Sequence, residues 1–403
     1  MDFNIFLFLS IVFLLTFVIG KLIEKIHIPW IFSSLLIGFA LAIYNPFTDI
    51  TTSSTFDFLA QLGMYLLLFI IGFEIDLKEM KKQGKFIIKT TTITIVLATF
   101  LGTLLICFLF GNNIFVSIIV SLSFATVGEE ILIPILDEFK LTNEPLGQTI
   151  IGVGTLDDIF EIFTLILVIL FVGTSAQSIV DVVIILVALV VLFILSIGFI
   201  KIGKKRSKFK HTGVESLFVF VVFVLFLFIG VGFYAEAAPL AALFAGIGLK
   251  TFLPKERLEF IESEIKTVCY GLFAPLFFLW VGASMDLSYL LMFPIFIILV
   301  VIVGFAAKLL GSYLGGRKAL GKKDSLLVGI GVSVKFSTGI VVMTILLSSG
   351  LIDPGLYSVI IASSIIFTFF IPIIFANLIS KRKSLRPAGN NTQTSNDSEI
   401  AKK

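Results

Sequence analysis

The sequence predicts an all-α polytopic membrane protein with about 13 transmembrane helices, and three observations support this fold class. Hydrophobic residues make up 58% of the 403 residues and charged residues only 14%, whereas soluble proteins hold about 25% charged residues. The mean hydropathy of the chain is +1.12. Polar interruptions divide the chain into apolar stretches, each near the roughly 20 residues that a membrane helix needs.

These stretches are numbered here as spans 1 to 13 in chain order. None shows the alternation of polar and apolar residues that is typical of a membrane β-barrel strand. The predicted bounds are about 5–23, 29–45, 56–75, 86–110, 114–138, 144–172, 178–202, 214–232, 235–250, 264–283, 290–316, 325–348 and 355–380.

The basic residues predict the orientation of the chain in the membrane. Of the 30 Lys and Arg residues, all except Lys308 and Lys335 lie in the tail, in loops or at the ends of spans on one face. An excess of Lys and Arg marks the cytoplasmic side. We therefore expect the N-terminus outside and the C-terminus inside, with residues 381–403 forming a short disordered cytoplasmic tail.

Several charges fall inside the predicted spans. Lys308 lies in the middle of span 11, and span 6 carries Asp157, Asp158 and Glu161. A charge at membrane depth costs at least about 2.5 kcal/mol, so such residues are expected to be functional and to have partners. Glycines 304, 311 and 315 share the helix face of Lys308 and let another helix approach closely. We expect Lys308 to pair with Asp157 or Asp158.

Spans 5 and 12 each contain a polar, glycine-bearing interruption about twelve residues from their start. The residues concerned are Ser121, Ser123, Thr126 and Gly128 in span 5, and Ser333, Lys335, Ser337, Thr338 and Gly339 in span 12. Paired interruptions predict discontinuous helices that cross near the midplane. With span 7 as a linker, residues 1–172 and 214–380 form two six-span halves. Because they start from opposite sides of the membrane, the two repeats are inverted.

These residues resemble a known family. The matching motifs are Phe73-Glu74-Ile-Asp76-Leu77, Thr126-Val127-Gly128, Asp157-Asp158, Leu240-Ala-Ala-Leu-Phe-Ala-Gly246, Pro275-Leu-Phe-Phe-Leu-Trp-Val-Gly282 and Lys308. Over nearly its whole length the chain resembles the monovalent cation:proton antiporter superfamily, specifically the CPA2 branch typified by the NapA sodium/proton antiporters. The resemblance implies the NhaA/NapA-like fold and a bacterial or archaeal cell membrane.

The resemblance also implies roles for individual residues. It makes Asp158 the cation ligand, Asp157 the partner of Lys308 and Thr126 a neighbour at the crossing, so that Na⁺ would bind Asp158, Asp157 and Thr126. Glu161 and Ser123 are auxiliary candidates. A homodimer is implied as well, with a core domain of spans 4–6 and 11–13 moving against the remaining spans, which form the dimer domain.

Two positions depart from the family pattern. Lys335-Phe-Ser stands where many relatives have an Arg-Gly-Glu-like run, and Glu129 and Glu130 follow Gly128. Lys335 is therefore expected to pair with Glu129 or Glu130 across the broken helices. The alternative is that these glutamates face water in a cytoplasmic funnel.

The predicted function is exchange of Na⁺ or Li⁺ for protons, because a hard cation and a proton compete for the same carboxylates. We expect the exchange to be electrogenic, because two adjacent aspartates with Lys308 can handle more than one proton per cation. Potassium/proton exchange, a cation channel and a non-transporting sensor are the alternatives. The sequence contains no phosphate loop, no His-Glu-x-x-His motif and no dinucleotide fingerprint. We thus expect no enzyme activity, no cofactor, no nucleic acid partner and no nucleotide-binding domain, with membrane lipid and a second copy as partners.

Overall fold

A computed structural model describes residues 4–26, 28–74, 84–128, 132–142, 144–172, 213–235, 237–253, 255–335 and 338–384, with short pieces between 187 and 198. This part of the chain is helical and contains no strand. Seven of its helices are long and apolar enough to cross a membrane, and four shorter apolar helices accompany them. The all-α membrane class is confirmed, whereas the count of 13 spans stays a prediction. Most of span 7 lies outside the described residues.

In the first half, the helix boundaries follow local capping chemistry. The side chain of Asn4 accepts a hydrogen bond from the Leu7 N–H at the start of the first helix, and Asn113 caps the sixth helix in the same way. Gly111, with φ +65°, ends the fifth helix in the left-handed conformation that glycine favours. The helices are α1 (Ile5–Glu24), α2 (Phe32–Ile43), α3 (Thr48–Thr51), α4 (Ser54–Glu74), α5 (Lys85–Phe110), α6 (Ile114–Ala125), α7 (Ile133–Glu138) and α8 (Pro145–Val172).

In the second half, four helices have a proline in their first turn, where the missing N–H costs no hydrogen bond. A π-helical turn, Cys269–Phe273, joins two of the helices, and span 10 consequently begins earlier than predicted. The helices are α9 (Val214–Tyr234), α10 (Ala238–Phe252), α11 (Lys255–Val268), α12 (Ala274–Ala283), α13 (Leu287–Met292), α14 (Pro294–Gly331), α15 (Thr338–Ser348) and α16 (Pro354–Ser384).

Two helix boundaries differ from the prediction. Spans 11 and 12 meet at Gly321, whose φ of 80° and ψ of 171° kink α14 instead of opening a loop. Glycine adopts this conformation without a Cβ clash. Helix α16 continues to Ser384, past the expected start of the tail, where Arg382 pairs with Asp324 at 2.8 Å and Glu144 at 3.4 Å. Basic residues also suit the negative end of a helix.

The described transmembrane helices pack as two sets. The scaffold set consists of α1, α2, α4, α9, α10, α11 and α12, and the crossing set consists of α5, α6, α8, α14, α15 and α16. Within the scaffold set, α4 and α10 approach so closely that Gly72 meets the carbonyl of Leu243 and Gly246 meets the carbonyl of Phe69. Two glycines, Gly38 and Gly282, make the same kind of backbone contact between α2 and α12.

The most extensive helix pairing in the crossing set joins α5 and α14. A Cβ atom on Gly311 would lie 2.6 Å from Thr94 Cα, and one on Gly315 would lie 2.6 Å from Thr90 Cα. The close helix approach expected from the glycine stripe is therefore present. It holds α14 in a position from which Lys308 reaches the interior of the crossing set.

Candidate functional site

The two predicted interruptions meet in the crossing set. Helix α6 ends at Ala125 and the chain becomes extended at Thr126, with φ −61° and ψ 160°. The other break separates α14 from α15. The Gly128 N–H donates to the Val334 carbonyl at 2.9 Å, so backbone from one break pairs directly with backbone from the other.

A side-chain hydrogen bond adds to this pairing. Ser123 Oγ donates to the Gly339 carbonyl at 2.9 Å. A Cβ atom on Gly339 would lie 2.8 Å from the Ser123 carbonyl oxygen. A larger residue at position 339 would therefore push the two broken helices apart.

Asp157 of α8 lies against this junction. Only 1% of the residue is exposed, and its Oδ2 accepts a hydrogen bond of 2.6 Å from the Val127 N–H. Burial disfavours the charged form of this carboxylate, and the ammonium charges of Lys308 and, more weakly, Lys335 oppose that cost by attraction. The broken helix thus supplies one hydrogen-bond donor to the Asp157 carboxylate, and two buried lysines supply nearby positive charge.

Lys308 is also 1% exposed, and its ammonium donates a hydrogen bond to the Ala125 carbonyl. This carbonyl belongs to the last turn of α6, where carbonyl groups lack helical partners and carry the negative end of the helix dipole. The structure thus gives Lys308 a backbone partner that the sequence did not reveal. Its ion pair with Asp157 stays a prediction.

Lys335 lies at the same helix end, with 5% of the residue exposed. Its ammonium donates to the Phe124 carbonyl and, at 2.7 Å, to the Thr126 carbonyl. The ring centroid of Phe124 lies 4.9 Å from the ammonium nitrogen, within the range of a cation–π contact. The expected partners Glu129 and Glu130 lie outside the described residues.

Of the other predicted site residues, Thr126 and Ser123 are buried at the junction, where Thr126 Oγ1 donates to the Ser123 carbonyl at 2.9 Å. Asp158 and Glu161 follow Asp157 on α8, but their side chains lie outside the part of the chain that the structure describes. The structure therefore brings together Asp157, Thr126, Ser123, Lys308 and Lys335.

Two contributors were missed by reasoning from the sequence. The Val127 N–H is a backbone donor and leaves no side-chain signal. Thr368 Oγ1 donates to the carbonyl of Lys335 as well as to the Ser364 carbonyl at 2.9 Å. The hydroxyl residues of the otherwise apolar span 13 were the only sequence signal for Thr368. The signal was weak, because Ser and Thr are common in membrane helices and usually bond the backbone of their own helix.

The remaining family motifs lie away from the junction. Glu74 pairs with Lys266 at 2.6 Å, at the ends of α4 and α11. Asp76 lies outside the described residues. Gly246 and Gly282, which close the two apolar motifs, provide the backbone contacts within the scaffold set. These motif residues therefore contribute to packing and to an ion pair remote from the crossing.

Comparisons with known proteins identify the family of the chain. Residues 10–381 match the family described as sodium/hydrogen exchanger, transmembrane. The chain is 24% identical over 384 residues to a Na⁺/H⁺ antiporter of Enterococcus hirae, covering 93% of this chain and 97% of that protein. It is 28% identical over 340 residues to the high-affinity Na⁺/H⁺ antiporter NhaS3 of Synechocystis sp., covering 79% and 70%.

The fold agrees with a solved structure as well. The sodium proton antiporter MjNhaP1 of Methanocaldococcus jannaschii, at pH 8, superposes with a TM-score of 0.65 at 20% identity, covering 92% of this chain and 98% of that one. Membership of the monovalent cation:proton antiporter superfamily, expected from the motifs, is confirmed. The chain belongs to the sodium/hydrogen exchanger family of transmembrane proteins, and it is a membrane transporter and not an enzyme.

Proposed function

We propose that this chain is a secondary active antiporter that exchanges Na⁺ or Li⁺ for protons. Family membership supports cation/proton antiport in general. The observation that carries the proposal is the buried carboxylate of Asp157 at the junction of two broken helices, bonded to the Val127 N–H. A carboxylate in such a place binds a proton or helps to bind a cation, but not both at once.

The ligands of the transported cation are proposed as Asp158, Asp157 and Thr126, together with carbonyls freed by the breaks. Alkali cations are hard and prefer oxygen ligands. Unwound segments in transporters supply such oxygens at the midplane. Support for this set comes from the burial of Asp157 and Thr126 side by side with the carbonyls of residues 124–126.

The packing of the helices supports the inverted repeats and the two-domain division. Exchanging each span n of the first half with span n + 7 converts the α2–α12 contact into the α10–α4 contact. Both contacts use the same reciprocal glycine approach. The α5–α14 pair and the α6–α15 pair are converted into themselves. We assign the crossing set as the moving core domain and the scaffold set as the dimer domain.

Alternating access then consists of rocking the crossing set against the scaffold set. A cavity of about 240 Å³ lies between the two sets and is lined by Tyr65, Trp280 and Thr344, among others. This gap supports movement at the boundary. With the predicted orientation, N-terminus outside and C-terminus cytoplasmic, lining residues such as Gln61 and Ser349 lie near helix ends assigned to the outer face.

We also propose that exchange is electrogenic. Two adjacent aspartates with Lys308 have the capacity to handle more than one proton per monovalent cation. If two protons move against one Na⁺, each cycle transfers one charge, and the membrane potential contributes about 2.3 kcal/mol per 100 mV. In vesicles clamped with valinomycin, an imposed potential should drive Na⁺ movement without an initial pH gradient. Exchange that ignores the potential would favour a one-for-one stoichiometry.

The proposal also concerns the setting of the protein. We place it as a homodimer in the cell membrane of a bacterium or archaeon, where Na⁺/H⁺ exchange contributes to pH homeostasis. Its partners are membrane lipid and a second copy, and its transported ions are Na⁺ (or Li⁺) and H⁺. Contact with membrane lipid is supported by large apolar side chains on the exposed faces of both sets, such as Phe223 and Phe226 of α9 and Phe100 and Phe108 of α5.

The experiment that tests the function uses purified protein in proteoliposomes that contain a pH-sensitive dye. Na⁺, Li⁺ and K⁺ are added in turn to vesicles with an acid interior, and empty vesicles are the control. Na⁺ and Li⁺ are expected to release the internal protons. A response to K⁺ alone would show that the exchanged cation is potassium. Cation flux without coupled proton movement would indicate a channel. No flux of any ion would indicate a sensor.

A further inference from the structure

The transport scheme above assigns no task to Lys335, although this lysine is buried in the middle of the crossing set. Its charge meets two carbonyls at the end of α6, those of Phe124 and Thr126. Burying an ammonium at membrane depth is costly. A lysine that served only to pack would be replaced by an apolar residue of similar length without that cost.

The surroundings of the ammonium resemble those of a bound monovalent cation. Two carbonyl oxygens coordinate it, and the ring centroids of Phe124 and Phe367 lie 4.9 and 6.0 Å away. Carbonyls at a helix C-terminus carry partial negative charge, and aromatic faces attract cations. The chain therefore places a cation of its own on oxygens that become available where the helix is broken.

The backbone of Lys335 is fixed, whereas its side chain has space beside it. Thr368 Oγ1 donates to the Lys335 carbonyl, and the neighbouring Val334 carbonyl accepts from Gly128 N–H. A cavity of about 10 Å³, close to the size of one water molecule, is lined by Lys335, by three hydroxyl residues, Ser123, Thr126 and Ser364, and otherwise mostly by apolar residues. A second cavity of about 20 Å³ is also lined by Lys335, together with Lys308 and Ser121.

We propose that Lys335 is a tethered competitor of the transported cation, which occupies carbonyls of the α6 terminus when the site is empty and weakens binding of the external ion. The inference rests on the proposed exchange of an alkali cation at this junction. The two compete because an ammonium and an alkali cation bind the same carbonyl oxygens and repel each other electrostatically. Its consequence is a higher KM for the cation and faster release, which sustain turnover.

The test replaces Lys335 by Gln and, separately, by Arg in the full chain. Na⁺-driven proton release from proteoliposomes is measured at one alkaline pH over a range of Na⁺ concentrations. Removal of the competing charge in Lys335→Gln should lower the KM for Na⁺ on the order of tenfold, which corresponds to about 1.4 kcal/mol, because a like charge close to the bound cation repels it. The Lys335→Arg variant, which keeps the charge, should retain a KM within about threefold of the original.

A purely structural role of Lys335 predicts a different pattern of KM, maximal rate and thermal stability. If Lys335 only balances the α6 dipole, Lys335→Gln lowers thermal stability and the maximal rate without lowering KM, which would overturn the inference. A KM equal in both variants would overturn it too. Phe124→Leu keeps Lys335 but removes the aromatic ring 4.9 Å from its ammonium, which should weaken the hold of the lysine on the site. A KM for Na⁺ below that of the unmutated protein would therefore support the inference independently. An unchanged or higher KM would count against it. Absence of exchange in the unmutated protein would instead refute the proposed function.

Discussion

Replacing Asp157 by Asn should destabilise the crossing set through charge alone, because the amide keeps the shape of the carboxylate. The amide oxygen is still able to accept the hydrogen bond from the Val127 N–H, now as a neutral acceptor. Hydrogen bonds to charged groups are worth about 1.5 to 3 kcal/mol and neutral ones about 0.5 to 1.5 kcal/mol, so this contact alone loses about 1 kcal/mol.

The larger part of the effect comes from Lys308 and Lys335, whose charges act on Asp157. Removing one member of a buried charge pair costs about 3 to 5 kcal/mol. Both lysines keep carbonyl partners, which reduces the loss. We therefore expect Asp157→Asn to lower the free energy of unfolding by about 3 kcal/mol, whereas Asp49→Asn, at an exposed position on α3, should change it by less than about 0.5 kcal/mol.

The assay is a double-mutant cycle with Lys308→Gln, measured by unfolding in mixed micelles titrated with SDS. If the two charges stabilise each other, the double variant should lose at least about 1 kcal/mol less than the sum of the single variants. The same cycle with Lys335→Gln should give a smaller coupling energy. Additive effects within about 0.5 kcal/mol for Lys308 would refute the electrostatic account of this site.

Three further predictions concern Asp158, Glu161 and Gly315. Asp158→Asn should abolish cation-driven proton release while the protein stays folded, since an amide binds no exchangeable proton; retained exchange would contradict its role as ligand. Glu161→Gln should shift the pH profile or the apparent affinity without ending transport, and complete loss of exchange would make Glu161 the primary site. Gly315→Ala should destabilise the protein by about 1 to 3 kcal/mol, because its Cβ would meet Thr90 Cα at 2.6 Å; Gly230→Ala, in open space, is the control.

Several elements of the fold could be predicted because each depends on local composition. Span 4 was expected over about 86–110 and α5 covers Lys85–Phe110; span 6 was expected over about 144–172 and α8 covers Pro145–Val172. Apolar stretches in a membrane must satisfy their backbone hydrogen bonds internally, which makes length and hydropathy sufficient to place a helix. The kink at Gly321 was not predicted, since a positive φ is a choice among conformations that glycine permits equally.

The candidate site was predictable in its residue types and only partly in its contacts. A charged lysine inside a membrane span is costly unless it is paired, and Lys308 and Asp157 are identified on that basis. The predicted partners of Lys335, Glu129 and Glu130, lie outside the described residues, and the structure adds two backbone acceptors for its ammonium, the carbonyls of Phe124 and Thr126. Backbone acceptors are present at every residue, so the sequence offers no means of choosing among them.

The sequence by itself determined that this chain is a helical membrane protein, that helices break near Thr126 and Lys335, and that Asp157, Lys308 and Lys335 are buried. These features follow from composition because burial of charge and exposure of backbone are costly in a membrane. Only the tertiary structure decided which groups meet. Val127 N–H reaches Asp157 because the break after Ala125 packs against α8. Gly128 N–H reaches the Val334 carbonyl because the second break lies beside the first, more than 200 residues later in the chain. Contacts over such sequence separations depend on how whole helices pack, and helix packing is set by the shapes of both partners together.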